Sequence, residues 1–191
     1  MDIQLIINNF FSILQGLDET LILIFLSLIL GFFISIPFAL ARVSSIKILS
    51  QSIYYYIFVI RGTPLLVQIY LIYFGLGSIK AVRDSFLWVL LKEPFWCGVI
   101  ALVINTVAYT TEIFRGGIQS VNKGQIESCE SLGMSKFTMY FRIILPCAFR
   151  QALPAYGNEI ILMVKATSLI SLTTYMEMTG IARSIMYKTF A

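Results

Sequence analysis

Leu21 to Ala41 is a run of 21 residues without a single charge. As a helix it reaches about 30 Å, the depth of a bilayer's hydrocarbon core. Few folds can absorb such a run, and it predicts a membrane-spanning helix with Pro37 placed to kink it near its end. The rest of the chain agrees. Of 191 residues, 58% are hydrophobic and 13% charged, where a soluble domain carries about 25% charged residues.

The same reasoning places further spans. Residues 20–41, 52–76, 94–114 and 152–176 are predicted to cross the membrane, within one transmembrane domain covering 1–191. Arg61 is the one charge of the second span, and the Gly62-Thr63-Pro64 that follows predicts a kink. Residues 1–17 contain no Lys or Arg, which argues against a secretory signal peptide. Ile3, Ile6, Ile7, Phe10, Leu14 and Leu17 recur there at helical spacing, which predicts an amphipathic helix lying at the membrane surface.

Charge sets the orientation. Arg42 and Lys47 lie between spans one and two, and Arg115, Lys123, Lys136, Arg142 and Arg150 between spans three and four. Only Lys80, Arg83 and Lys92 lie between spans two and three. Cytoplasmic loops carry the excess of Lys and Arg, so residues 115–150 are expected inside and the N-terminus outside. The chain is then expected to end outside, soon after its fourth span. A net charge of +4, gathered in these loops, points to topology rather than to nucleic acid.

Several chemistries are excluded or weakened. There is no histidine, which removes Ser-His-Asp and H-E-x-x-H sites. Cys97, Cys129 and Cys147 are odd in number and form no C-x-x-C pair, so neither a disulfide framework nor a zinc site is expected. No G-x-x-x-x-G-K-[ST] loop is present to cradle nucleotide phosphates.

The loop 115–150 carries the most specific pattern. Its glycines and polar stretches predict a short helix, a glycine turn, a second short helix broken by Pro146, and re-entry into the membrane. Glu127-Ser128-Cys129, then Gly133, then Ile143-Ile144-Leu145-Pro146 resembles the E-A-A-x3-G-x9-I-x-L-P loop of ABC importer permeases, with Ser128 and Cys129 in place of two alanines. Ala108 to Ile118, Arg61 to Leu65, Lys123-Gly124-Gln125 and Leu153 to Glu159 resemble the polar amino acid branch of that family, in the expected order. The resemblance implies an all-α polytopic membrane bundle of the type I ABC importer permease kind. It also implies a fifth span beyond the four visible here.

By that resemblance, Glu127, Ser128, Cys129, Gly133, Ile143, Leu145 and Pro146 form a coupling loop that docks on a cytoplasmic ATPase. The implied partners are two ABC ATPase subunits, a second permease, identical or homologous, and an extracytoplasmic amino acid-binding protein. The implied location is a bacterial inner membrane. ATP and Mg²⁺ would be bound by the ATPase, with no cofactor on this chain and no enzymatic activity of its own.

Ionisable groups inside a span cost roughly 2.5–3.5 kcal/mol on insertion scales and need a reason. Glu159 is a candidate for the translocation path, receiving a substrate cation. The alternative is a pairing with Arg150 or Arg115. Lys165 lies about 240° away on the same helix, so each needs its own partner, and a structural pairing is expected for Lys165. Asn105, Tyr109 and Glu112 share a helix face and either line the path or bond between helices. Thr167 and Ser168 either bind substrate or pack helices. Arg61 either pairs with Glu112 or reaches the headgroups. An acid at 159 leans towards basic amino acids. The competing functions are an ATP-independent transporter or channel, though no internal repeat is visible, and a truncated, non-transporting membrane subunit.

Overall fold

The computed structural model describes residues 3–189, and every regular element among them is helical. In chain order these are α1 (Ile3–Leu14), α2 (Leu17–Arg42), α3 (Lys47–Gly62), α4 (Leu65–Tyr70), a π turn (Leu71–Gly75), α5 (Leu76–Ser78), α6 (Lys80–Arg83) and α7 (Trp88–Leu91). There follow α8 (Pro94–Gln119), α9 (Lys123–Ser131), α10 (Lys136–Met139), a second π turn (Tyr140–Ile144), α11 (Leu145–Ala166), a 3-10 stretch (Thr167–Thr173) and α12 (Met178–Thr189).

Asn9–Arg42 and Pro94–Gln119 are each long and apolar enough to cross a membrane. Lys47–Gly62 with Leu65–Ser78, and Lys136–Thr173 with Met178–Lys188, qualify only when the pieces either side of a break are joined. Asp18 and Glu19 open α2 and Arg42 closes it, each charge matching the helix dipole at its end. α2 passes through Pro37 without interruption.

Two sequence expectations are corrected. The second span is broken rather than kinked: α3 stops at Gly62 and Pro64 is extended (φ −62°, ψ 135°) before α4 begins. Proline supplies no amide and disfavours helix in the residue before it. Pro146 does not break the second short helix; the helical run continues from Lys136 to Ala166. A π turn at Tyr140–Ile144 ends two positions before Pro146, where a widened turn accommodates the missing donor and the crowded carbonyl. The fourth span is not α-helical throughout. After Ala166 it tightens into the 3-10 stretch, which ends at Thr174 in the left-handed region (φ 70°).

The chain divides into two compact units. One gathers the residues up to Leu30, Thr63–Thr106 and those from Leu162 onward. Its core is Leu23, Ile69, Val99, Ala101, Leu102, Met163 and Ile170. Gly98 packs so closely that a Cβ there would lie 2.9 Å from Ile170 Cγ2. In the same unit α1 packs along α12. The buried Glu177 caps α12, accepting from the amides of Thr179 (2.8 Å) and Gly180 (3.0 Å). Thr20 Oγ1 accepts the Met178 amide at 3.2 Å.

The other unit comprises Gly31–Gly62 and Val107–Ile161. Phe114 and Ala152 pack with Ala39, and Ala108 with Ile53 and Ile57. α8 and α11 cross at Gly117, where an added Cβ would sit 2.5 Å from the Ala148 carbonyl oxygen.

Candidate functional site

The predicted coupling loop is an ordered helix–turn–helix. Asn122 caps α9, its side-chain oxygen accepting from the Gly124 amide at 2.8 Å. Ser135 caps α10, accepting from the Thr138 amide at 3.2 Å. Between them the Gly133 amide donates to Glu130 O (2.9 Å) and the Met134 amide to Cys129 O (3.0 Å). Gly133 has φ +70°. This is a Schellman closure, in which the left-handed residue is glycine because it has no Cβ to clash.

The loop residues divide by face. Cys129 and Ile144 are buried with Val121, Met139 and Ala148, and Ile143 packs against them. The small residue at 129 thus packs within this chain. Glu127, Ser128 and Pro146 are exposed, and Leu145 is half-buried. Ser128 Oγ donates to Gly124 O at 2.7 Å. Sequence reasoning overlooked three exposed apolar side chains beside the turn: Leu132 (79% exposed), Phe137 (72%) and Phe141 (55%). The rings of the two phenylalanines lie 4.5 Å apart. The available signal was large apolar residues in an otherwise polar loop.

The in-span candidates have different fates. Glu159 is buried, at 6% exposed. Among the described residues it makes neither a hydrogen bond nor an ion pair, so the pairing with Arg150 or Arg115 is not formed. Arg61 is the cation within electrostatic reach of it. Arg61 does not pair with Glu112; its guanidinium lies over the Tyr109 ring, 4.9 Å from the centroid. One compact unit thus holds an unpaired buried carboxylate and a cation seated on an aromatic face.

Asn105 bonds between elements: its Nδ2 donates to Gln68 Oε1 at 3.2 Å. Gln68 Nε2 in turn donates to the Thr63 carbonyl (3.1 Å) and hydroxyl (2.9 Å), at the break in the second span. Gln68 is a buried polar group that the span-by-span reading missed. Glu112 is held by Arg115, whose Nε lies 3.0 and 2.9 Å from its two oxygens and whose Nη2 lies 2.7 Å from Oε2. Thr167 and Ser168 spend their hydroxyl protons locally, donating to Val164 O (2.8 Å) and Lys165 O (2.7 Å). Lys165 is exposed and forms no ion pair among the described residues, against the expected structural pairing.

Broken apolar helices, a glycine-closed helical turn carrying the Glu-Ser-Cys-x3-Gly pattern, and a buried charge are the parts of a transport permease. Residues 27–190 match the family of binding-protein-dependent transport system inner membrane components, and the chain belongs to that family. It is 50% identical to the nopaline transport system permease protein of Agrobacterium fabrum, over all of this chain and 80% of that protein. It is 43% identical to the histidine/lysine/arginine/ornithine transport system permease protein of Escherichia coli K12, over 92% of this chain and 74% of that one. A solved structure of an amino acid ABC transporter with histidines superposes with a TM-score of 0.88 at 38% identity, covering all of this chain and 85% of that one. The chain is therefore the membrane component of an ABC import system.

Proposed function

We propose that this permease carries cationic amino acids or their derivatives across a bacterial inner membrane as a multi-pass subunit. The observation that carries the reading is Glu159, a buried carboxylate with no ion-pair partner among the described residues, in the same unit as Arg61. A buried charge is retained where it is paired or used. Glu159 offers a partner for a substrate's ammonium or side-chain cation, and Arg61 one for its carboxylate. The relatives named above transport nopaline and histidine, lysine, arginine or ornithine, which supports a cargo with a basic side chain.

Two ATPase subunits would supply the energy, binding ATP and Mg²⁺ themselves. A second permease would complete the path, and an extracytoplasmic binding protein would deliver the substrate. The coupling contacts fall to Glu127, Ser128, Leu132 and Phe137, the exposed face of the loop, while Cys129, Gly133 and Ile144 hold its shape. ATP-driven closure of the motor would move this turn and shift the packed helices between two access states.

The test is uptake of radiolabelled arginine by the reconstituted complex. Glu159→Gln removes a charge-assisted bond, and uptake is expected to fall about tenfold or more. Unchanged uptake and an unchanged order of preference between arginine and a neutral amino acid would sink the role given to Glu159.

A further inference from the structure

Glu112 of α8 faces Arg42 at the end of α2 as an ion pair at 3.9 Å, with no hydrogen bond made between them. Arg42, in the last turn of α2, donates from Nη1 to Ser50 Oγ at 2.9 Å, and Ser50 Oγ donates back to the Arg42 carbonyl at 2.8 Å. The Arg42 guanidinium also lies over the Tyr54 ring at 5.0 Å. Its head is thus fastened to α3. Its Nε points elsewhere: it lies 3.9 Å from Glu112 Oε1, is buried, and makes no hydrogen bond among the described residues. That separation is about 1 Å too long for a hydrogen bond. Buried donors are paired in the great majority of cases, and an unmet one calls for an explanation.

The acceptor has room. Glu112 Oε1 takes one bond, from Arg115 Nε, while Oε2 takes two, from Arg115 Nε and Nη2. A carboxylate offers about four lone-pair sites, so Oε1 can accept Arg42 as well. Arg115 is also tied along its own helix, donating from Nη1 to Gln119 Oε1 at 2.6 Å. α8 ends at that Gln119, and Asn122, the cap of the coupling helix α9, is three residues on. A displacement of α9 therefore acts on the turn that carries Glu112.

We propose that Arg42 is a positioning residue for transport, an alternate partner that takes up Glu112 Oε1 in the opposite access state. In the conformation described, Arg115 alone donates hydrogen bonds to Glu112, and Arg42 meets it only as an ion pair at 3.9 Å. When the coupling turn moves, Arg42 Nε closes on Oε1, and the end of α2 becomes locked to α8. All the groups involved lie in one compact unit. The inference rests on the importer reading above, and its test separates the two.

The assembled complex, in proteoliposomes with its loaded binding protein, is compared across nucleotide states. Cys97, Cys129 and Cys147 are first replaced by alanine or serine, and Arg42→Cys is paired with Glu112→Cys. Disulfide formation between positions 42 and 112 is expected to rise several-fold when ATP is trapped relative to the nucleotide-free complex. In the otherwise native complex, Arg42→Gln is expected to lower the ratio of binding-protein-stimulated to basal ATP hydrolysis by about fivefold or more, the lower range of coupling between sites. Arg42→Lys, which keeps the charge but not the fork, should retain part of that ratio. A static brace would lower thermal stability and leave both readouts flat. Crosslinking that ignores nucleotide, in a complex that still imports arginine at the expense of ATP, overturns this proposal alone. A wild-type complex with no ATP-dependent uptake overturns the importer reading and this proposal with it.

Discussion

The amide of Met134 donates to the carbonyl of Cys129 at 3.0 Å, across a left-handed turn at Gly133 (φ +70°). That bond closes α9 and lets Met134 fold back onto the cluster around Cys129. Any side chain at 133 must adopt the left-handed conformation at a cost of about 1–2 kcal/mol. No atom crowds the position, so the penalty is purely conformational. Gly133→Ala is expected to raise the hydrogen-exchange rate of the Gly133 and Met134 amides by about tenfold, about 1.4 kcal/mol of lost protection. Gly133→Asn should raise it less, since asparagine tolerates this region better.

Gly117 makes a different demand. A Cβ there would lie 2.5 Å from the Ala148 carbonyl oxygen and 3.2 Å from Ala152 Cβ. The nearest obstacle is backbone, so no side-chain rotation relieves it, and α8 must part from α11. Overpacking of this kind costs about 1–3 kcal/mol. Gly117→Ala should lower the melting temperature of the purified complex, and the larger Gly117→Val should lower it further. Gly116, with nothing within 4 Å of its would-be Cβ, is the control: Gly116→Ala should hold the melting temperature or raise it slightly, alanine being the better helix former.

What could be read from the sequence followed from rules that are local. A charge-free run of about 20 residues spans a bilayer whatever surrounds it, and α2 and α8 appear where that rule puts them. The Glu-x5-Gly spacing of the coupling loop likewise marks a helix and its C-terminal turn. Partner choice was harder to read. On sequence alone Glu112 faces the path, another helix or Arg61, whereas in the structure it takes Arg115, its i,i+3 neighbour on α8. Pro64 and Pro146 are both prolines beside apolar runs, yet one separates two helices and the other sits inside a continuous one. The difference lies in the π turn before Pro146, which no residue of Tyr140–Ile144 announces. Gln68 went unread, because its use depends on Thr63 and on Asn105, the latter 37 residues away.

That network yields the last prediction. Asn105 Nδ2, Gln68 Oε1 and Nε2, and the Thr63 carbonyl and hydroxyl form a chain with links of 3.2, 3.1 and 2.9 Å beside the Pro64 break. The break leaves backbone carbonyls that a continuous helix would have satisfied, and in a membrane such groups need protein partners. Gln68→Leu keeps much of the volume while removing both the donor and the acceptor. It is expected to destabilise the folded complex by about 1–3 kcal/mol, the cost of polar groups stripped of a partner. Asn105→Leu should cost less, since it ends the chain rather than interrupting it. If the three groups act as one network, the double variant will fall short of the sum of the two single effects by about 0.5 kcal/mol or more. Additive losses in a thermal or denaturant titration would instead show that Asn105 and Gln68 act independently, leaving Gln68 alone to secure the break.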